Sequence, residues 1–421
     1  MSPFIFFVAD KMATPNEEAA APAAKRYGRG GTCHGVPRGK TASDGASIMQ
    51  AMPDKGDKVV LAMSGGVDSS VAAALLQREG YDVIGAFMRL GTPQGVETGE
   101  VCDVSAGKQG CCSVRDAGDA RRVAGLLGIP FYVLNFQEDF GRVIDYFVAE
   151  YNAGRTPNPC IRCNEWLKFG KLAQYAQAVG AKFIASGHYA RTVLDETIGQ
   201  RVLMRGRDLR KDQSYVLFGM SPEALQHTLF PVGDLEKPQV RAIAEEIGLP
   251  VFDKPDSQEI CFVPDQDYAA LLRRRTPEAF AAGEFVDAQG QTLGVHPGHQ
   301  HFTIGQRKGL GIALGERTYV LDINAGANRV TLGSREDLLH TTVLASHTNI
   351  LHPLAQGAAE LRCLAKIRYN FQPQPARLTL LGKGGMKVVF DEPQSAITPG
   401  QAVVVYRDDT VLAGAWIDRA E

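Results

Sequence analysis

The chain has 421 residues, enough for two or three domains with buried cores. Hydrophobic residues make up 44% and charged residues 22%, the texture of an ordinary globular protein rather than a fibrous or disordered one. A net charge of −2 excludes a global pull on nucleic acid, so any such partner must meet local basic clusters; no apolar run approaches the roughly 20 residues of a helical membrane span, and no membrane partner is expected.

Residues 1–56 are rich in Ala, Gly, Pro and charge, lack periodicity, and are expected to be a disordered extension. The opening SPFIFFV is too short for a signal core and runs straight into Asp10 and Lys11. From Ala19 to Ser43 the chain carries Lys25, Arg26, Arg29, Arg38 and Lys40 without an acid, faintly like an organelle transit peptide. The plainer reading is a floppy extension, or a misplaced start with Met49 or Met52 as the true one. The expected location is the cytoplasm, or the mitochondrial matrix if residues 1–56 are a transit peptide.

From Lys58 the pattern alternates. KVVLAM reads as a strand, Ser69–Glu79 as a helix and DVIGAFM as a strand. Arg115–Leu127 then reads as a helix, PFYVLNF as a strand, Phe140–Asn152 and Leu167–Val179 as helices, and KFIAS as a strand. Such alternation predicts an α/β domain, a parallel sheet wrapped by helices, over 57–263. The glycine-rich stretch 91–110 is too long for a simple connector and reads as a mobile lid. After about Pro264 helical pattern ends near Arg275. Short alternating strands with glycine turns follow, predicting a small central β-rich domain over 264–333 and a C-terminal β-barrel over 334–421.

The sharpest local signal is VVLAMSGGVDSSVAAALL at 59–76. A glycine turn between a buried strand and a helix N-terminus presents backbone N–H groups and the positive end of the helix dipole to an anion. Gly65 and Gly66 permit close approach, Ser64, Ser69 and Ser70 bring hydroxyls, and Asp68 offers a carboxylate for a phosphate-bound Mg2+. The lysine of a Walker P-loop is absent. The eight cysteines are Cys33, Cys102, Cys111, Cys112, Cys160, Cys163, Cys261 and Cys363. Cytosolic metal-binding or catalytic thiols are a better prior than a disulfide framework in a chain of this size. Cys163 and Cys261 sit in polar loops (PNPCIRCN and DSQEICF), where a thiol serves as nucleophile or ligand. Cys363, inside LRCLAKI, reads as a small buried hydrophobe. No function is assigned to Cys102, Cys111 or Cys112. Arg201, Arg205, Arg207, Arg210 and Lys211 face only Asp208, a local density suited to phosphate contact as well as to a solvated face.

The SGGVDSS string resembles the PP-loop of ATP pyrophosphatases. MSGGVDSSV, AEYNAGRTPNP, IRCN, ASGHYAR, KDQSYVL, FPVGDLEKPQVR, DSQEICF, TIGQRKGLGI and KIRYN also occur in the order seen in tRNA-specific 2-thiouridylases, from about Lys58 to the C-terminus. That resemblance implies an enzyme that uses ATP and Mg2+ to adenylate O2 of the wobble uridine of tRNA and replaces it with sulfur. It implies a persulfide on Cys261, Cys163 as the nucleophile that releases it, and a Cys163–Cys261 disulfide afterwards. Ala62, Met63, Ser64, Gly65, Gly66, Val67, Asp68 and Ser69 match the ATP loop, with Met88 and Gly187 as further nucleotide contacts. Asn158, Pro159, Cys160, His188, Lys211, Asp212, Gln213, Arg368, Tyr369 and Gln401 match tRNA contacts. A cysteine desulfurase or sulfur-relay protein is implied as donor. Many members carry an aspartate where this chain has Cys160. The departure leaves proton handling without an obvious owner and opens an alternative, a [4Fe–4S] cluster on Cys160, Cys163 and Cys261. No protein-bound metal is otherwise expected.

Overall fold

The computed structural model describes residues 56–91, 114–256, 260–263, 267–357 and 359–421. The expected extension, most of the expected lid, and Cys33, Cys102, Cys111 and Cys112 lie outside the described residues.

The first half alternates: β1 (Lys58–Ala62), α1 (Val67–Arg78), β2 (Asp82–Arg89), α2 (Val114–Leu127), β3 (Phe131–Asn135) and α3 (Gln137–Asn152). Next come α4 (Pro159–Arg162), a π-helical stretch Cys163–Lys171, α5 (Leu172–Ala178) and β4 (Phe183–Ser186). Then follow β5 (Ala190–Asp195), β6 (Gln200–Arg205), α6 (Pro222–Gln226), β7 (Thr228–Leu229), α7 (Lys237–Glu246) and α8 (Tyr268–Arg275). Strands pair in parallel in the order β3-β2-β1-β4-β7. β1 lies at the centre, Val59 facing Val83 on one side and Phe183 on the other. Helices cover both faces, so β1 is apolar from Val59 onward: Val59 and Leu61, with Met63 just beyond the strand, join the cluster under α1 and α7, while Val60 and Ala62 join the one under α3 and α5. Burying each of the valine, leucine and methionine side chains stabilises the fold by roughly 1.5–3 kcal/mol.

The chain runs outward from β1 to β2 and β3, then returns to the other side of β1 as β4. The crevice beyond the C-terminal ends of β1 and β4 is therefore a topological switch point, where open α/β sheets bind ligands.

The second half begins with β8 (Gly283–Val286), β9 (Thr292–His296), β10 (Tyr319–Asn324) and β11 (Arg329–Gly333), a four-stranded sheet packed on Phe285, Phe302, Val320 and Val330. It continues with β12 (Leu339–Ile350), β13 (Leu361–Lys366), β14 (Gln374–Leu381), β15 (Gly385–Ser395), β16 (Ala402–Arg407) and β17 (Thr410–Ala420). Pairing of β12 with β17 closes these strands into a barrel. Cys363 is buried in the barrel core, its thiol pushed up to about 12 by burial.

Two features differ from the sequence reading. The helix expected at Leu167–Val179 begins at Pro159: the Asn158 carboxamide caps it from Ile161 N, Pro159 supplies the first helical residue, and a π-helical stretch joins the two α segments. The β5–β6 hairpin also escaped the pattern; β6 pairs with β17 at Met204 and Thr410 and so extends the barrel's sheet from the α/β half. Among the described residues no helix is long and apolar enough to cross a membrane.

Candidate active site

The glycine turn sits at the switch point. Gly65 has φ +76°, and a Cβ there would stand 2.2 Å from the Asp116 carbonyl oxygen. Across the crevice Gly187 follows β4, where a Cβ would stand 2.6 Å from Ser69 N. Only hydrogen fits at either position, so β4 closes tightly on the first turn of α1. Gly66 caps α1 without a side-chain bond, leaving the helix N-terminus to an outside acceptor. Ser69 Oγ accepts from Ser64 N at 3.2 Å, and Ser70, fully buried, donates to Gly66 O at 2.8 Å. Ser70 thus shapes the turn, and Ser64, which is exposed, accepts from Gly66 N at 3.4 Å and meets Ser69 Oγ at 3.3 Å. Ala62, Met63 and Val67 are buried supports, and Met88 is half-buried beside Leu134.

Polar groups that pattern alone did not single out surround this turn. Lys237 Nζ lies 2.8 and 2.9 Å from the Asp68 carboxylate, and the Tyr189 hydroxyl donates to Asp68 Oδ1 at 2.8 Å. Lys237 also pairs with Asp256 at 2.7 Å, and Asp256 with Lys211 at 2.9 Å. Burial raises the Asp256 carboxyl, but bonds from Lys237 and Lys211 outweigh it and hold the group below its usual range. Lys254 Nζ donates to Gly65 O at 2.9 Å and pairs with Asp116 and Asp119 at 2.7 and 2.8 Å. Burial pulls this ammonium down, yet the two carboxylates win and keep it above the usual lysine value. Residues 254–256, leading toward Cys261, are thereby pinned over the glycine turn. The partners of Lys254, and the Asp68 partner of Lys237, lie more than a hundred positions away, which is why no local pattern marks them.

Cys163 and Cys261 pack against one apolar cluster that includes Ile161, Phe140, Phe147 and Phe262. The Phe262 ring sits edge-on to Phe140 and Phe147 at 5.6 and 5.2 Å, fixing the flank of Cys261 on α3. Cys160 is exposed and lies one helical turn before Cys163, whose N–H donates to Cys160 O. The Arg162 guanidinium stacks 4.2 Å over Trp416 of the barrel and 5.1 Å over Tyr146 and Trp166, and pairs with Glu165 at 2.7 Å. The barrel thus holds the cysteine helix.

Gln401 donates to Thr156 O and Pro157 O at 3.0 and 3.1 Å, supporting Asn158 and Pro159 from behind. Arg368 donates to Ser395 O at 2.7 Å. Tyr369 packs on the same apolar cluster as Cys163, and its hydroxyl is pushed up to about 12, by burial first and then by the nearby Asp212 carboxylate.

Several expected RNA contacts are spent inside the protein. Asp212 is buried, accepts from Gly206 N, Ser214 N and Ser214 Oγ, each at 3.0 Å, and lies 3.5 Å from Arg205. Gln213 Oε1 accepts from Tyr189 N at 2.9 Å. His188 is buried between Ser186 at 2.6 Å and Lys168 at 3.4 Å; burial first, then the Lys168 charge, holds it neutral well below the usual histidine value. The basic run is also corrected: Arg201 and Arg205 point inward from alternate positions of β6 and are buried, leaving Arg207 and Arg210 exposed. The cluster alternative does not fit either. Cys160, Cys163 and Cys261 are all described, and among the described residues no three His, Cys, Asp or Glu side chains are grouped to hold a metal ion. Asp68 does fit the Mg2+ of a bound nucleotide, a hard carboxylate oxygen at the anion-binding turn.

Together these features define an α/β protein of the PP-loop kind, with a thiol-bearing helix held beside its sheet by a C-terminal barrel. Family models match along the chain: the tRNA methyl transferase HUP domain over residues 57–265, the tRNA methyl transferase PRC-barrel domain over 270–334 and the aminomethyltransferase beta-barrel domain over 340–417. A tRNA-specific 2-thiouridylase MnmA from Carboxydothermus hydrogenoformans is 49% identical over 363 residues, covering 86% of this chain and 98% of the relative. The protein of that name from Desulforamulus reducens is 50% identical over 364 residues, covering 86% and 97%. A solved 4-thiouridine synthetase–RNA complex with bound ATP overlaps more loosely, with TM-score 0.32, 16% identity, and 53% and 51% of the two chains covered. The chain belongs to the tRNA-specific 2-thiouridylase family.

Proposed function

We propose that the protein catalyses ATP-dependent 2-thiolation of the wobble uridine of tRNA, releasing AMP and pyrophosphate. Supporting this reading is one juxtaposition: two cysteines far apart in sequence pack on one apolar cluster, and that cluster also carries the strands feeding the glycine turn.

A pyrimidine carbonyl oxygen is a poor leaving group, and adenylation of O2 converts it into AMP, a good one. The N–H groups of α1 bind and orient the triphosphate through the helix dipole, and Asp68 holds the Mg2+ that offsets its charge. A stacked anticodon base cannot enter the crevice, so the uridine is extruded, with Asn158, Pro159 and Cys160 flanking it. Arg368, Tyr369 and Gln401 carry or support the RNA on the barrel side, and Lys211 meets it on the other; Asp212, Gln213 and His188 act by holding these segments in place.

Sulfur arrives as a persulfide on Cys261, from a cysteine desulfurase or relay protein. The Cys163 thiolate attacks Cys261 Sγ, the Cys163–Cys261 disulfide forms, and the outer sulfur leaves as hydrosulfide. Hydrosulfide adds at C2 and AMP departs with the former O2, while a two-electron thiol reductant restores both cysteines.

Mass analysis of the wobble nucleoside, after incubation with ATP, unmodified tRNA and a persulfide donor, tests the assignment. Cys163→Ser and Cys261→Ser are each expected to abolish thiolation while ATP–pyrophosphate exchange persists. Full thiolation by either variant refutes the sulfur route; absence of tRNA-dependent exchange in the wild type refutes the adenylation.

A further inference from the structure

Four side chains from four segments form an alternating line of charge along one edge of the glycine turn. Asp68 of α1 meets Lys237 of α7 at 2.8 Å, Lys237 meets Asp256 at 2.7 Å, and Asp256 meets Lys211 at 2.9 Å. The end groups are the more open: 29% of the Asp68 and 37% of the Lys211 side chain is exposed, against 10% for Lys237 and 24% for Asp256. Each carboxylate keeps a second donor if a lysine turns away, Tyr189 at 2.8 Å from Asp68 and Arg241 at 3.4 Å from Asp256. The acidic end therefore presents a cation site at the nucleotide turn, and the basic end an anion site on the turn assigned to RNA.

We propose that this line couples the binding of the two substrates, with Asp256 as the positioning residue through which the coupling passes. The inference rests on the assignment of Asp68 to the nucleotide's Mg2+ and of Lys211 to the RNA backbone. When Asp68 turns to a divalent cation, Lys237 loses one carboxylate and settles on Asp256. Asp256, now more fully neutralised, holds Lys211 less strongly, and Lys211 is more easily drawn to a phosphate. From the other end, Lys211 paired with RNA leaves Asp256 to Lys237, which loosens the grip of Lys237 on Asp68. The two changes reinforce each other because the central pair tightens in both. The coupling is therefore positive, and thermodynamic linkage makes it equal in both directions. The central pair is the most enclosed part of the line, so solvent screens it least.

Equilibrium binding of a non-hydrolysable ATP analogue with Mg2+, measured on the full chain with and without saturating unmodified tRNA, tests the proposal. In the wild type tRNA is expected to tighten the analogue by about fivefold or more. Asp256→Asn is expected to bring that ratio to about one, and Asp256→Glu to restore it. A wild-type ratio near one, or an Asp256→Asn protein that keeps the full ratio, overturns the proposal and leaves the nucleotide assignment standing. A wild type that binds no analogue under any condition sinks that assignment and the proposal together. Should Asp256→Asn not fold, the wild type decides: coupling must vanish when Mg2+ is omitted, and tRNA that tightens the metal-free analogue equally overturns the proposal.

Discussion

Replacing Gly187 by alanine probes how the anion site is assembled. The new Cβ would stand 2.6 Å from Ser69 N, 2.7 Å from Asp68 C and 2.9 Å from Ser69 Cα. All three neighbours are backbone, so no flexible side chain can give way, and Gly187 has no left-handed φ to add strain of its own. Restoring an ordinary contact asks the end of β4 or the start of α1 to retreat by about 0.8 Å, an overpacking that costs about 1–3 kcal/mol. Thermal unfolding should register this as a fall of about 2–4 °C per kcal/mol for a domain of roughly 200 residues. Ser69 N belongs to the first turn proposed to face the phosphates, so the same displacement should weaken binding of the Mg2+–nucleotide by on the order of tenfold. Gly118→Ala supplies the contrast. Nothing lies within 4 Å of its Cβ, the position is exposed inside α2, and alanine there should stabilise by about 1 kcal/mol without touching nucleotide affinity. A Gly187→Ala protein that melts and binds nucleotide like the wild type would refute the claim that β4 is pressed against α1.

Two further outcomes follow from the packing. The only two tryptophans, Trp166 and Trp416, both lie against Arg162, so Arg162→Ala should lower stability by about 2 kcal/mol and red-shift the intrinsic fluorescence as the rings meet water; an unchanged emission maximum would count against the cage. Burial pulls Lys366 down to about 8, with Asp212 at 3.9 Å offsetting only part of the effect. Between about pH 8 and the usual lysine value the unfolded chain keeps a proton that the folded chain has released, so the contribution of Lys366 to stability grows as pH rises through that window. Lys366→Met should therefore show a flatter rise of melting temperature from about pH 7.5 to about pH 10, and parallel curves would exclude the shift.

Much of the site was legible in advance because its signals are local. SGGVDSS announces an anion-binding turn through properties of successive residues, and the two cysteines stand out against their polar neighbours. The side chains that complete the turn are not legible in this way. Lys237 sits in FPVGDLEKPQVR and Lys254 in VFDKPDS with nothing nearby to mark them, because their partners Asp68, Asp116 and the Gly65 carbonyl come from the other end of the domain. The same limit misleads over surface charge. In a row, Arg201, Arg205, Arg207, Arg210 and Lys211 look like one basic face, yet β6 buries the first two, Arg205 against Asp212 and Asp409.

What the amino-acid order determined by itself was the period of most elements, the apolar faces of a parallel sheet and of a later run of short strands, and the residue types offered by a glycine turn and two thiols in polar loops. These depend on interactions within a few residues of one another, where spacing alone dictates geometry. Only the tertiary structure decided which charges are spent inside, that a hairpin from the α/β half joins the barrel's sheet at Thr410, and that four ionic groups from distant segments stand in line beside the turn. Such arrangements depend on chain crossings that set side chains from remote segments within 3 Å of each other, a distance that no local repeat encodes.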